Sequence, residues 1–253
     1  MIRAENIFKS FGEQEVLKGI DFTFESGKSN LIIGKSGAGK TVLLKILVGL
    51  IEATKGHVWY GDEDLCSLSN TELLQLRMKV GMLFQGNALF DSMTVEENVA
   101  FPLMMFTNMS EEERIERANV CLERVDIINK NKLLPAECSG GMQKRIAIAR
   151  AIAMNPRYLF CDEPNSGLDP KTSIVIDNLI KEITYEYDIT TIVITHDMNS
   201  VIEIGDNIMF IYGGKKWWEG NNKEIIKTDN QEVVDFVYAS TFMRDLRDKM
   251  ING

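Results

Sequence analysis

The sequence contains no apolar run that approaches the roughly 18 residues needed to cross a bilayer. Residues 1–6 also lack the apolar core of a signal peptide. Both absences argue against a membrane-spanning or exported protein. We therefore expect a cytoplasmic one.

Cysteine is scarce, and the four residues of this type lie far apart without a C-x-x-C pair, at Cys66, Cys121, Cys138 and Cys161. This spacing indicates neither a disulfide framework nor a zinc site. We expect reduced thiols in mostly buried positions.

Positive charge is also in short supply, because 28 Lys and Arg stand against 37 Asp and Glu, a formal net charge of -9. Since affinity for a phosphate backbone rests on Lys and Arg, this balance argues against a general nucleic-acid-binding protein and leaves only a local basic face open. The 253 residues, 45% of them hydrophobic, suit one large globular domain or a core domain with an inserted subdomain.

The clearest motif is the octapeptide at residues 34–41, GKSGAGKT, which has the G-x-x-x-x-G-K-[ST] spacing of a phosphate-binding loop. A β-branched stretch at 31–33 and an apolar helical pattern at 42–48 predict a strand before it and a helix after it. Lys40 is predicted to neutralise the β- and γ-phosphates, and Thr41 to hold Mg²⁺ through its hydroxyl. The glycines allow backbone N–H groups to converge on phosphate oxygens. The predicted nucleotide-binding residues of the loop are Gly34, Ser36, Gly37, Ala38, Gly39, Lys40 and Thr41.

The apolar pattern of the chain predicts an α/β fold. Alternation in the first thirty residues indicates a half-solvated antiparallel sheet. Later strand patterns alternate with helical ones, which is typical of a mostly parallel sheet with crossover helices. These later strands are predicted at 80–84, 158–161, 191–195 and 208–212. Gly213 and Gly214 predict a hairpin after the last of them.

The middle of the chain changes to helical spacing, from about residue 87 to residue 155, and predicts an inserted helical subdomain. Ser110 and Glu113 form a capping-box pattern that predicts the start of one helix there. The same pattern at Ser69 and Glu72 predicts an earlier helix.

Two adjacent carboxylates follow the predicted strand at 158–161, at the sheet edge where ligands bind in open α/β folds. Asp162 is suited to bind Mg²⁺ through water. Glu163 is suited to act as general base on the attacking water.

A second anion site is predicted at Ser139, Gly140 and Gly141, where a turn opens a helix whose N–H groups and dipole favour phosphate. Taken alone, the same three residues also fit an ordinary helix N-cap.

In combination these motifs resemble those of the nucleotide-binding subunits of ABC transporters, over nearly the whole chain. Residues 34–41 match the Walker A loop, 158–163 the Walker B strand and 139–141 the family signature, in the family's order. The resemblance implies a P-loop NTPase (RecA-like) fold, ATP hydrolysis, and ATP and Mg²⁺ as cofactors.

The resemblance also assigns residues outside these three motifs. Gln85 matches the glutamine that contacts Mg²⁺ and the attacking water, His196 matches the switch histidine at the γ-phosphate, and Phe11 falls where the family stacks an aromatic on adenine. The residues alone leave open a loop or core histidine at 196 and a core aromatic at 11. The implied catalytic residues are Glu163, His196, Gln85 and Lys40; the implied metal-binding residues are Thr41, Gln85 and Asp162. The implied nucleotide-binding residues beyond the loop are Phe11, Ser139, Gly140, Gly141 and, from the D-loop, Asp169.

Two residues depart from the family pattern, Cys138 where Leu is usual and Met142 where Gln is common. In the family one subunit's Walker A loop faces the signature of another across ATP. The resemblance therefore implies a dimer with a second copy of this chain, closed by ATP and opened by hydrolysis.

The stretch 84–103 most resembles the ATPase of Mla-type phospholipid transport systems. That resemblance implies an inner-membrane permease and an MCE-domain lipid-binding protein as partners, and a peripheral position on the cytoplasmic face of the inner membrane. No nucleic-acid partner is expected. An importer for amino acids or other small solutes shares every catalytic motif, and a soluble ABC protein would need a coiled-coil insert or a second cassette.

Two segments keep two interpretations each. The apolar residues after Gln85 form either a groove for the permease or the core of the helical subdomain; they are Leu89, Phe90, Met93, Phe101, Met104 and Met105. We predict a nucleotide-binding domain at 1–229 and a C-terminal helical extension at 230–253. This extension either reaches the partner ATPase or folds back on its own subunit.

Overall fold

The computed structural model describes residues 1–238 of the chain. Contact density divides them into two compact units: one holds residues 1–25, 29–66 and the described residues from 194 onward, and the other holds 26–28 and 67–193. The C-terminal part of the predicted extension, residues 239–253, lies outside the described residues.

The strands in chain order are β1 (Ile2–Phe11), β2 (Gln14–Phe24), β3 (Ser29–Ile33), β4 (Lys55–Tyr60), β5 (Glu63–Asp64), β6 (Val80–Leu83), β7 (Tyr158–Asp162), β8 (Thr190–Ile194), β9 (Asn207–Tyr212) and β10 (Lys215–Gly220). The α-helices are α1 (Lys40–Leu47), α2 (Asn70–Met78), α3 (Val95–Phe106), α4 (Glu111–Arg124), α5 (Gly140–Ile152), α6 (Pro170–Glu186), α7 (Met198–Ile204), α8 (Asn222–Lys227) and α9 (Gln231–Val237). This is the α/β class that the sequence predicts.

The first unit contains an antiparallel sheet in the order β2-β1-β4-β5. Along β1 the buried Ile2 and Ala4 alternate with the exposed Arg3 and Glu5, so one face packs on the core and the other meets solvent. The alternation in the sequence predicted this arrangement correctly.

The same unit contains the strand order β10-β9-β3, in which β3 runs parallel to β9 and β9 runs antiparallel to β10. Every residue of β3 is buried, as the apolar run before the phosphate loop requires. The predicted hairpin between β9 and β10 is confirmed: Gly213 and Gly214 take φ values of 58° and 82°, the left-handed region that a tight turn of this kind needs.

The second unit has the strand order β8-β7-β6, with β6 parallel to β7, and helices α3, α4 and α5 pack against one another. Capping boxes form at Ser69 with Glu72 and at Ser110 with Glu113, as predicted. A further box at Thr94 with Glu97 opens α3. No helix within residues 1–238 combines the length and the apolar character needed to span a membrane.

Candidate nucleotide site

The phosphate loop of the first unit runs from β3 into α1. Lys40, the first residue of α1, is buried, and its Nζ donates to the Gly34 carbonyl at 2.8 Å and to the Lys35 carbonyl at 3.3 Å. These bonds hold the Lys40 ammonium against the backbone of the loop, so the positive charge lies within the loop itself.

The glycines of the loop are required by its backbone. Gly34 has φ 150°, and a Cβ there would lie 2.4 Å from the carbonyl oxygen of Ile211. Gly39 has φ 103° and precedes α1 without a side-chain cap. Because no side chain covers this helix start, the first-turn N–H groups are oriented as in an anion site. The loop therefore has the backbone shape and charge that a polyphosphate requires.

A cavity of about 270 Å³ lies beside the loop. Residues 35–38 of the loop form part of its wall, with Val16 and Lys18 of β2 and the hairpin glycines Gly213 and Gly214. Lys18 and Lys35 give the cavity two cations against the one carboxylate of Glu15, and this net positive wall suits an anionic ligand.

Phe11 and His196 also belong to the first unit, and both are exposed. Phe11 keeps 52% of its surface open, with the Lys9 ammonium 5.0 Å from the ring centroid. His196 lies between β8 and α7 and is followed by Asp197, which caps α7. Phe11 is therefore not a core aromatic and His196 is not a core histidine, whereas a loop histidine at 196 stays an open interpretation. Their nucleotide contacts stay predictions.

In the second unit, β7 ends at Asp162 and is followed at once by Glu163, and both are half-buried. Glu163 has φ 49°, a left-handed backbone that costs a non-glycine residue about 1–3 kcal/mol. A turn follows, in which the Ser166 N–H donates to the Glu163 carbonyl at 3.1 Å. Strain of this kind is typical of functional sites.

Gln85 follows β6 and is held from two sides within the same unit. Its Nε2 donates to Ser166 Oγ at 3.4 Å, and its carbonyl accepts from Lys144 Nζ at 3.2 Å. The structure thus brings Gln85 to the turn that begins at Glu163.

Lys144 is a residue that the sequence reasoning missed. It is only 1% exposed on α5, and burial lowers the pKa of its ammonium. A signal for its burial exists, because Lys144 lies three, four and seven residues before the apolar Ala147, Ile148 and Ala151, all on one helix face.

The predicted signature residues form the start of α5. Ser139 caps the helix, its Oγ accepting from the Met142 N–H at 3.3 Å, and both Ser139 and Gly140 are exposed. A Cβ on Gly141 would lie 2.8 Å from Cγ2 of Thr172 on α6, so close helix packing also requires this glycine. The N-cap interpretation is confirmed as geometry, and the anion contact stays a prediction.

Cys138, a departure from the family pattern, is buried just before this helix start, and burial raises the pKa of its thiol. Asp169 caps α6 by accepting from the N–H groups of Lys171 and Thr172, each at 3.1 Å. Hydrogen bonds from Thr172 lower the pKa of the Asp169 carboxyl. Asp169 therefore has a capping role in addition to its predicted nucleotide contact.

An apolar groove with a volume of about 630 Å³ lies in the second unit. Met93, Phe101 and Met104 contribute its apolar wall, and Glu96 and Lys132 contribute charge. Of the six apolar residues predicted after Gln85, none is fully buried. The exposed Phe90, Met104 and Met105 are therefore not core residues, whereas the half-buried Leu89, Met93 and Phe101 leave both interpretations open.

The sequence model of the ABC transporter family matches residues 17–166. The intermembrane phospholipid transport system ATP-binding protein MlaF of Haemophilus influenzae is 35% identical over 94% of this chain and 90% of its own length. The methionine import ATP-binding protein MetN of Carboxydothermus hydrogenoformans is 41% identical over 87% of this chain and 66% of its own. Among solved structures, the dimeric post-hydrolysis state of the ATP-binding cassette MJ0796 bound to ADP and Pi is similar, with 33% identity, a TM-score of 0.79, and 88% of this chain and 99% of that chain covered.

Proposed function

We propose that two copies of this chain close around two ATP and drive a membrane permease for phospholipids. The chain belongs to the ABC transporter family and is an ATPase. The observation that carries the nucleotide part is the loop from Gly34 to Thr41, in which a buried Lys40 and a backbone that admits only glycine at 34 form a phosphate cradle. Mg²⁺ is the cation such a site uses with ATP.

In the first unit Lys40 binds phosphate, Thr41 holds Mg²⁺, Phe11 stacks on the adenine and His196 contacts the γ-phosphate. Bound Mg²⁺ would stabilise charge on the transferring phosphoryl group. The exposure of Phe11 and His196 supports their part of this proposal, because a side chain must be accessible to reach a nucleotide.

In the second unit we assign Glu163 as the general base that accepts a proton from the attacking water. Asp162 is assigned as a Mg²⁺ ligand through water, and Gln85 orients the attacking water. The bonds from Lys144 and Ser166 restrict Gln85, which supports a positioning task. Ser139, Gly140, Gly141 and Asp169 are assigned to the ATP of the second copy, since the exposed helix start of α5 suits an anion.

Glu163→Gln tests the base and the dimer together. The variant should lose ATP hydrolysis and elute as a stable dimer with ATP and Mg²⁺ in size-exclusion chromatography, because binding continues without turnover. Glu112→Gln, an exposed carboxylate in the first turn of α4, serves as matched control. ATP hydrolysis by Glu163→Gln at the wild-type rate would contradict the assignment of Glu163 as the general base.

The phospholipid part rests on the Haemophilus influenzae relative, whose name states intermembrane phospholipid transport. The groove of about 630 Å³ supports docking of a permease, since its apolar side chains are accessible. We place the chain peripherally on the cytoplasmic face of the inner membrane, with an MCE-domain protein as further partner. Purification of the complex from membranes, followed by lipid extraction and mass spectrometry, tests this assignment. Detection of one phospholipid class bound to the complex would support the assignment to phospholipid transport.

The second candidate is import of an amino acid, which the 41% identity to the methionine import protein favours. ATPase activity of the purified complex that rises with methionine, without bound phospholipid, would replace the lipid proposal by this one.

We also propose that residues 230–253 form a C-terminal extension. Its first part packs on its own unit, since Phe236 lies 5.3 Å from the Phe210 ring and the Tyr238 hydroxyl donates to the Ile226 carbonyl at 3.0 Å. Deleting residues 231–253 should weaken dimerisation, but would also remove the buried Val233. Deleting 239–253 alone is the sharper test, and unchanged dimer formation would contradict contact with the partner ATPase.

A further inference from the structure

Three side chains of different chemistry meet on the antiparallel sheet of the first unit, away from the phosphate loop in sequence. They are His57 on β4, Asp64 on β5 and Cys66 in the turn that follows β5. One possible ligand atom from each lies within 4.8 Å of the other two. These three residues are the His-Asp-Cys cluster.

The strand pairing brings the cluster together. Trp59 of β4 stands opposite Asp64 of β5, and His57 is two residues before Trp59, so all three side chains share one face of the hairpin. The His57 and Trp59 rings accordingly lie 6.0 Å apart. Glu63 stands opposite Tyr60 and belongs to the other face.

Hydrogen bonds orient the Asp64 carboxylate. Asp64 Oδ2 lies 2.8 Å from His57 Nδ1, and Asp64 Oδ1 accepts the Cys66 N–H at 3.0 Å. An ion pair accounts for His57 with Asp64, and Cys66 Sγ makes one weak contact, to the Gly56 carbonyl at 4.0 Å. The bond from the Cys66 N–H is an outer hydrogen bond of the kind that orients carboxylate ligands in metal sites, and it leaves Asp64 Oδ2 beside His57.

We propose that the His-Asp-Cys cluster is a binding site for Zn²⁺ or a metal ion of similar softness. Imidazole nitrogen, carboxylate oxygen and thiolate sulfur are the zinc ligands of proteins, whereas Mg²⁺ takes oxygen ligands only. Tetrahedral zinc sets its ligand atoms about 3.3–3.8 Å apart. The exposed His57 and Cys66 side chains can reach this spacing with small rotations, and water completes the fourth position. The site is distinct from the Mg²⁺ of the nucleotide and does not rest on the proposed function.

The test uses the full chain without an affinity tag, since the sequence itself has only two histidines and a tag would compete. The protein is reduced, freed of metal with a chelator and titrated with Co²⁺ and then with competing Zn²⁺. We expect one Co²⁺ per chain and a thiolate-to-cobalt charge-transfer absorption that Zn²⁺ abolishes.

Substitutions identify the ligands. Cys66→Ser should abolish the charge-transfer absorption, and His57→Gln and Asp64→Asn should each lower the affinity at least about 10-fold, since even indirect partners of metal ligands change it by 10- to 100-fold. Glu63→Gln, on the other face of the same hairpin, should bind like wild type.

Thermal unfolding gives a second measurement that also reports the fold. Zn²⁺ should raise the midpoint of wild type and of Glu63→Gln but not of Cys66→Ser, because only a metal bound to the folded state stabilises it. The proposal is overturned by absorption that survives in Cys66→Ser, by affinity that is unchanged in His57→Gln, or by the absence of stoichiometric Co²⁺ binding.

Discussion

Lys144→Met distinguishes the role of the Lys144 ammonium in positioning Gln85 from the free-energy cost of burying that ammonium. Lys144 Nζ donates to the Gln85 carbonyl at 3.2 Å from a position that is 1% exposed. A hydrogen bond that involves a charged group contributes about 1.5–3 kcal/mol net. If that free energy holds Gln85 in its working position, and each 1.36 kcal/mol corresponds to tenfold in rate, its loss lowers kcat by about 10- to 100-fold.

The expected stability change is small. Met is of similar length to Lys and carries no charge, so Lys144→Met removes the cost of burying an ammonium without leaving a large cavity, and this offsets the loss of the hydrogen bond. We expect a thermal midpoint close to that of wild type, together with the lower kcat and an almost unchanged KM for ATP. A purely structural residue would not combine these three results.

The pH dependence of the free energy of unfolding provides an independent test of the buried ammonium. Burial lowers the pKa of Lys144 below its ordinary value of 10.5, so the unfolded chain binds more protons than the folded one between the folded-state pKa and 10.5. The stability of wild type relative to Lys144→Met should therefore rise with pH across this window. Thermal unfolding of both proteins at a series of pH values measures it.

Steady-state ATPase assays decide the kinetic part. Lys144→Gln keeps an N–H donor and should recover part of the loss, and Lys223→Met, at an exposed position of α8, should match wild type. Wild-type kcat in Lys144→Met would refute the positioning role. A midpoint that falls by many degrees would refute the account of the burial cost.

Two further predictions concern helix starts. Gly141→Ala should destabilise the protein by about 1–3 kcal/mol, because its Cβ would lie 2.8 Å from Thr172 Cγ2, and Thr172→Ser in the same chain should restore the thermal midpoint; no recovery would argue against this contact. Ser110→Ala should lower the midpoint at pH 7 by removing the cap of α4. Hydrogen bonds from the backbone N–H and then the hydroxyl of Ser110 lower the pKa of Glu113 from 4.5, so their stabilisation is present above 4.5 and lost as pH falls through the folded-state pKa. Ser110→Ala keeps the backbone bond, and the bond from the Glu113 N–H to Ser110 Oγ does not titrate, so the difference between the two proteins should narrow in acid without vanishing.

Local signals of the sequence predicted much of the fold. Ser69 and Ser110 correctly predicted the starts of α2 and α4, because a capping box depends on two residues only three positions apart. The glycines at 213 and 214 correctly predicted the hairpin, because a tight turn also depends on neighbouring residues. The capping box at Thr94 was not predicted from the sequence. The helix that it opens, α3, carries apolar residues on most of its faces and contains Pro102, which obscures a helical period.

Contacts between distant residues were beyond such reasoning. The bond from Lys144 to Gln85 joins residues 59 positions apart, so the helical period of α5 indicates the burial of Lys144 but not its partner. The His-Asp-Cys cluster depends on the register of a hairpin whose second strand is two residues long. Pro164, Asn165 and Gly167 after β7 indicate a turn, but no residue type there specifies the φ of 49° at Glu163.

The backbone angle at Glu163 determines what a glutamate at this position costs the fold. Glycine would occupy the left-handed region freely, and asparagine at lower cost than glutamate. Either residue at position 163 should therefore raise the stability of the fold, and stability gained in this way commonly comes at the expense of activity. A chain that retains glutamate here gives up stability for a side chain whose value lies in chemistry, so Glu163→Gly should yield a more heat-resistant protein that no longer turns over ATP.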